Sequence, residues 1–176
     1  MSELQFTREK GRKQTRCILH KVADIPGGVG VDPASLNNDY LLEGTPLAIG
    51  SNGLYKVVAN AVLVNPASTT DTSIRIQKGS HLKAGTVILG ATVQTINKSN
   101  ADYDVVTLDK GLSAAQTVGT TIGETANVVA VCGTEKNVKD RGNIFVDAWV
   151  IAVLQKSNAP LLTSTQKDTA PTLVYV

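Results

Sequence analysis

The side chains of this chain that are best suited to metal binding or acid–base catalysis are its two histidines. His20 falls in a run that reads as a strand, and His81 follows the turn sequence at 78–80. Neither has a second histidine at the spacing that metal ligands require. We therefore expect each to be a structural or solvated imidazole rather than a ligand.

The two cysteines, Cys17 and Cys132, lie far apart in the chain, and each sits among Ile, Leu or Val. Such surroundings are typical of buried apolar thiols, and the spacing matches neither a disulfide framework nor a metal site. No basic residue that could activate the thiol adjoins Cys132, and the sequence around each cysteine carries no nucleophile signature.

The remaining candidates are two carboxylates and a glycine-rich run. Asp102 and Asp104 are two positions apart, which would place them on one face of a strand, as in a glycosidase acid pair. A solvated hairpin end is the favoured interpretation. The run 27–31 lacks the spacing and the following helix of a phosphate-binding loop. The sequence therefore predicts no catalytic, cofactor-binding or metal-binding residue, and we expect no enzyme and no cofactor.

The elements that position these residues are predicted to be strands. The chain has 176 residues, 42% hydrophobic and 18% charged, and is rich in Val, Ile, Thr and Gly. β-Branched side chains pack well on pleated surfaces, and this length suits one domain with its own core. The predicted fold class is all-β, an antiparallel β-barrel or β-sandwich with an N-terminal basic extended arm.

Two segments carry the clearest strand signals. Ser51-Asn52-Gly53 is a hairpin sequence, because Asn and Gly tolerate the positive φ of a type I′ turn. The segment 144–155 is long enough for a helix, but it alternates and has one wholly apolar face, which favours a strand. Further strands are predicted at 15–23, 46–49, 54–65 with a bulge at Asn60, 74–77, 86–98, 103–108, 127–132 and 172–176. Single helical turns are allowed at 36–44 and 111–119, and 157–171 reads as a polar connection.

Charge is concentrated at the N-terminus. Residues 1–21 hold six basic and two acidic residues, for a net charge of +4, whereas the rest holds eleven basic and thirteen acidic residues, for −2. Such an exposed arm could meet water, an acidic protein surface or nucleic acid. Nucleic acid is disfavoured, because Phe6 alone could stack on bases. The basic residues proposed to make the contact are Arg8, Lys10, Arg12, Lys13 and Arg16.

The predicted organisation has three parts: a basic arm at 1–21, a β-rich domain at 22–156, and a C-terminal extension with a final short strand at 157–176. No run approaches the roughly 18 apolar residues that span a bilayer, and residues 1–21 lack the apolar core of a secretory signal. We therefore expect no membrane association. We expect the protein to be made in a reducing cytoplasm.

Several turn and strand sequences resemble a known family. They are DIPGG at 24–28, LEGTPL at 42–47, GLY at 53–55, KGSHLKAGTVI at 78–88 and SNADYDVVT at 99–107. In this order, after a basic arm, they resemble the head-fibre and capsid-decoration proteins of tailed bacteriophages, including those of crAss-like phages. The resemblance covers roughly residues 23–155.

The resemblance implies a structural virion protein made in the host cytoplasm and placed on the outer face of the phage capsid. It implies docking on the major capsid protein, self-association as a homotrimer, with a dimer as the alternative, and no active site. The basic arm would then contact the capsid. Two other functions remain open: a carbohydrate- or host-surface-binding module, and a small-barrel nucleic-acid-binding protein.

Overall fold

The structure, a computed structural model, describes residues 16–176. Strands hold 42% of the residues and helices 6%, which confirms the all-β prediction. A short 3-10 turn lies at Pro33–Ser35, and an α-helix, α1, at Ser164–Thr169. The strands are β1 (Ile18–Asp24), β2 (Val29–Val31), β3 (Tyr40–Leu41), β4 (Pro46–Ile49), β5 (Tyr55–Val57), β6 (Asn60–Val62), β7 (Ser73–Gln77), β8 (Val87–Ile88), β9 (Ala91–Asn97), β10 (Tyr103–Leu108), β11 (Thr121–Gly123), β12 (Ala130–Cys132), β13 (Lys136–Asn137), β14 (Ile144–Val146), β15 (Ala148–Leu154) and β16 (Leu173–Tyr175).

The largest sheet curls back on itself. Its strands are neighbours in the order β1, β15, β12, β4, β5, β2 and β14, and β16 also lies beside β15. Only Asp147 separates β14 from β15, and one turn at 25–28 separates β1 from β2. The chain therefore joins the two ends of the strand order, which produces a barrel-like layer. We call this layer, residues 16–58 and 125–176, the barrel lobe.

Residues 59–124 form a second unit, the insert lobe, between β5 and β12. It contains a four-stranded sheet in the order β7, β10, β9, β8 and the antiparallel pair of β6 with β11. Its buried aliphatic side chains, which include Leu63, Ile76 and Val106, form a cluster separate from those of the barrel lobe. The described residues thus form one hydrophobic cluster in the insert lobe and two in the barrel lobe, and the insert lobe interrupts the predicted domain at 22–156.

A pair of side-chain amides, the buried Gln166 and the half-buried Asn60, joins the lobes. Asn60 Nδ2 donates to Gln166 Oε1 at 2.7 Å, and Gln166 Nε2 donates back to Asn60 Oδ1 at 2.9 Å. Gln166 Nε2 also donates to the carbonyl of Glu124 at 2.8 Å, and its side chain is only 1% exposed. The chain crosses into the insert lobe beside Asn60 and returns to the barrel lobe after Glu124. Gln166 of α1 therefore bonds to residues at both crossings between the lobes.

Two local predictions are confirmed. Asn52 and Gly53 both have positive φ, 56° and 73°, and they connect β4 to β5 as a hairpin. The segment 144–155 is strand rather than helix, and its predicted apolar face is buried except for the half-buried Val150. It is interrupted at Asp147, where pairing passes from β2 to β1.

Other local predictions are wrong. The single strand expected at 54–65 is two strands in different lobes, because Val57, Val58 and Ala59 pack into three different hydrophobic clusters. The segment 111–119 forms bends and turns instead of a helical turn. The polar connection at 157–171 contains α1, which begins with a capping box made by Thr163 and Gln166.

The predicted boundaries lie as follows in the fold. The boundary between arm and domain at 21/22 falls inside β1, which pairs with β15. The C-terminal segment 157–176 packs on the barrel lobe, since β16 runs parallel to β15 and Leu162 and Leu173 are buried. Residues 1–15, which include most of the predicted arm, lie outside the described residues.

Candidate functional site

The first candidate site is at Arg16, the last residue of the basic segment 1–16, where this segment continues into the folded domain. Of the predicted contact residues, the structure describes Arg16, while Arg8, Lys10, Arg12 and Lys13 lie outside the described residues. Arg16 is exposed, and its carbonyl accepts a hydrogen bond from Asn158 Nδ2 at 3.4 Å. The basic segment therefore leaves the domain beside the C-terminal segment.

Cys17 anchors this exit. Its backbone N–H donates to the Glu43 carboxylate at 2.7 Å, and its thiol donates to the Glu43 carbonyl at 3.1 Å. The backbone N–H of Gln155 donates to the Cys17 carbonyl at 2.7 Å. Cys17 is 1% exposed. These bonds fix the backbone immediately after Arg16.

Both cysteines are buried free thiols, as predicted. Burial raises the pKa of the Cys17 thiol to about 12, and the neighbouring Glu43 carboxylate adds to this effect. Burial likewise raises the pKa of Cys132 to about 12. A thiolate is the reactive form of cysteine, so both side chains are inert at neutral pH.

A cleft of about 210 Å³ lies where the two lobes meet the segment 157–161. Much of its polar lining is already bonded within the protein. Asn60 pairs with Gln166, and Ser80 Oγ donates to the Asn60 carbonyl and accepts from the Leu82 N–H. The residues on its walls include Thr45, Pro46, Val58, Asn60, Lys78, Ser80, His81, Asn158, Pro160 and Leu161.

His81 is a structural residue in the wall of this cleft. It is 6% exposed, and its Nδ1 accepts a hydrogen bond from the backbone N–H of Asn37 at 3.2 Å. Its Nε2 is buried without a hydrogen bond of standard geometry. Burial lowers the pKa of His81 to about 4, Arg141 adds to that effect, and a backbone group of Tyr40 partly offsets it. The imidazole is therefore neutral at neutral pH.

The pair of aspartates does not form a catalytic dyad. Asp104 is 2% exposed and accepts a hydrogen bond from Lys78 Nζ at 2.6 Å. Asp102 is exposed in the turn before β10. The expectation of a solvated hairpin end is therefore right for Asp102 and wrong for Asp104, whose carboxylate is buried against a lysine.

A group of cations surrounds the loop 34–38, and this grouping was not predicted from the sequence. Lys83 and Lys98 come from the insert lobe and Arg141 from the loop before β14, and all three donate to carbonyls of this loop. The only sequence signal was the high charge of the segment 133–143. The insert lobe and the loop 34–38 are distant in sequence, so their contact depends on the tertiary fold.

Residues 16–176 contain no helix long and apolar enough to cross a membrane. Within the same range, no group of three or more His, Cys, Asp or Glu side chains is placed to hold a metal ion. Comparison of the chain with protein-family models, with curated proteins and with solved structures gives no match.

Proposed function

We propose that this protein is a structural component of a tailed-phage virion, a head fibre or decoration protein that docks on the outer capsid surface. Its partner is the major capsid protein, which the basic segment contacts. The observation that carries the proposal is the segregation of charge at a fixed exit. Residues 1–16 hold five basic and two acidic residues, for a net charge of +3, whereas residues 17–176 carry −1, and Cys17 is anchored directly behind Arg16.

The fixed exit supports docking for a physical reason. Ordering a basic segment on an acidic surface costs conformational entropy, which reduces the affinity. Because the chain is already fixed at Cys17, the folded domain contributes none of that cost. The attraction between opposite charges is screened by salt, so docking through the segment should weaken as ionic strength rises.

Exposed apolar residues on the strands beside β15 support self-association, proposed as a homotrimer. Leu19 and Val22 of β1 are 58% and 55% exposed, and Val174 and Val176 near the C-terminus are 48% and 62% exposed. Light scattering after size exclusion measures the molar mass directly. A trimer is expected, a dimer would correct the stoichiometry, and a clean monomer would exclude the fibre form of the proposal.

Co-sedimentation with phage capsids that lack this protein tests the docking step. The arm variant carries Lys10→Gln, Arg12→Gln and Lys13→Gln. The control variant carries Lys110→Gln, Lys139→Gln and Lys167→Gln, which removes the same charge from exposed lysines elsewhere. We expect the wild type and the control to sediment with capsids, and the arm variant to bind at least tenfold more weakly.

Two results would contradict the proposal. If the arm variant binds as well as the wild type, the basic segment is not the contact. If both variants lose binding equally, net charge rather than the segment governs the interaction. Circular dichroism of each variant must match the wild type before these results are interpreted.

A further inference from the structure

Three cations from separate parts of the chain converge on the loop 34–38. Lys83 follows the turn after β7, Lys98 follows β9, and Arg141 precedes β14. We name this group the cationic rim. Its bonds are Lys83 Nζ to the Ala34 carbonyl at 2.6 Å, Lys98 Nζ to the Asn37 carbonyl at 2.6 Å, and Arg141 Nη1 to the Asn38 carbonyl at 2.7 Å.

The rim has no carboxylate partner among residues 16–176. The nearby Lys78 is different, because it forms an ion pair with the buried Asp104. An ammonium group has three donors and a guanidinium has five, and each rim cation gives one hydrogen bond to the loop. The rim therefore keeps both its full positive charge and unused donors.

The rim cations are held in place before any partner arrives. A long basic side chain loses rotamer freedom when it is fixed, and here the loop carbonyls have already fixed it. Arg141 also has a φ of 51°, a left-handed conformation that residues other than glycine rarely adopt. Residues with such backbone cluster at functional sites, and the Arg141 guanidinium donates to the Asn38 carbonyl.

Two of the rim cations also act on the buried His81. Arg141 and Lys98 both lower the pKa of this imidazole, in addition to the effect of burial.

The chemistry of the rim favours a protein over a nucleic acid as its partner. Exposed carboxylates adjoin it, Asp39 beside Asn38 and Asp140 beside Arg141. A nucleic acid carries a phosphate at every nucleotide, so some phosphates would lie against these carboxylates. A polypeptide can place spaced carboxylates on the cations and uncharged groups beside the aspartates.

We propose that the cationic rim of Lys83, Lys98 and Arg141 is a second docking point for an acidic protein surface. This inference rests on the proposed function, because the partner is the surface that the basic segment meets. The cleft links the two points. Asn158, which contacts the Arg16 carbonyl, and Lys78, which contacts the Lys98 carbonyl, both line its walls.

The test uses the full chain and a glutamate–alanine copolymer as an acidic polypeptide probe. The rim variant carries Lys83→Gln, Lys98→Gln and Arg141→Gln. Its control carries Lys110→Gln, Lys156→Gln and Lys167→Gln. Both are made in the wild type and in the arm variant, and binding is measured by fluorescence anisotropy at several salt concentrations. In the arm-variant background, we expect the rim substitutions to weaken binding at least tenfold and the control substitutions less than twofold.

A conservative variant guards against an effect on folding. Lys83→Arg with Lys98→Arg keeps the charge and should bind as the wild type does. The proposal is overturned if rim and control variants bind the copolymer equally, or if the rim is required for duplex DNA and not for the copolymer. Failure of the capsid experiment leaves this result interpretable, because the copolymer assay requires no capsid.

Discussion

His81 shows at the scale of one residue how the fold selects a protonation state. Its imidazole is 94% buried between the insert lobe and the loop 34–38, close to Arg141 and Lys98. Burial and the two neighbouring cations each disfavour a positive charge on the imidazole. The native state therefore requires the neutral form, whereas an unfolded chain binds a proton at the ordinary histidine pKa near 6.5.

This difference makes stability depend on pH. The pKa of His81 is about 4 in the folded protein, so between pH 6.5 and 4 the unfolded state binds more protons than the folded state. The stabilisation is present above pH 6.5 and is lost as the pH falls towards 4. By this linkage, going from pH 7 to pH 5 should lower the free energy of unfolding by about 2 kcal/mol, measured by urea denaturation.

Substitution isolates the contribution of this residue. His81→Gln should show a smaller decrease between pH 7 and pH 5, by about 2 kcal/mol, whatever its stability at pH 7. The exposed His20 provides the control, and His20→Gln should keep the wild-type decrease. An unchanged pH dependence in His81→Gln would assign the effect to the carboxylates instead.

Two hairpin turns show how sequence and backbone agree or conflict at the scale of an element. The turn between β4 and β5 has Asn52 and Gly53 in left-handed conformations, with φ of 56° and 73°. The turn between β8 and β9 has Leu89 and Gly90 there, with φ of 44° and 79°. Asparagine tolerates this conformation, while the branched side chain of leucine is strained in it.

Exchanging the residues tests this difference. Leu89→Asn should stabilise the protein by about 0.5–1 kcal/mol, because it relieves a strained φ at a side chain that is 36% exposed. The reciprocal change, Asn52→Leu, should destabilise it by a similar amount. Thermal unfolding of both variants measures the two shifts, and a destabilised Leu89→Asn would mean that packing of the leucine outweighs the strain.

The edge strand β1 has features that limit uncontrolled strand pairing. Its register against β15 shifts at three points, and such bulges interrupt the regular hydrogen-bonding edge that another chain could extend. Lys21 stays beside the sheet, where it donates to the Gly133 carbonyl and lies 5.1 Å from the centre of the Trp149 ring. Association through β1 would therefore rely on its exposed side chains rather than on backbone pairing.

At the scale of the whole molecule, a buried glutamine is one of the groups that couple the two lobes. Gln166 bonds to both crossings of the chain, at Asn60 and Glu124. A side chain at Gly123 would overlap the Asn60 amide, so the close packing at this junction requires glycine there. The insert lobe is consequently fixed to the barrel lobe by groups that are distant in sequence.

Removing this amide should weaken the coupling. Gln166→Ala leaves the half-buried Asn60 side chain with fewer partners, and we expect a loss of about 1–3 kcal/mol of stability in urea denaturation. Hydrogen exchange should increase at residues 59–62 and 123–128. Gln94→Ala, at an exposed position of β9, should leave both unchanged. A loss of stability without altered exchange at the crossings would show that Gln166 stabilises α1 alone.

The all-β class and the local turns follow from the amino-acid sequence alone. β-Branched composition, the Asn52-Gly53 turn and the alternation in 144–155 depend on neighbours within a few residues, so they can be read without knowing the fold. The same holds for the burial of Cys17 and Cys132. The charge segregation at the N-terminus is also a property of the sequence alone.

Which of these segments meet in space depends on the tertiary fold. A regular strand pattern at 54–65 gave no sign that its residues divide between two lobes, because the division depends on which distant clusters receive Val57, Val58 and Ala59. The Asn60–Gln166 pair and the cationic rim likewise combine residues from remote segments. Such contacts arise from the closure of long loops, and one chain's local pattern carries no information about which segments that closure brings together.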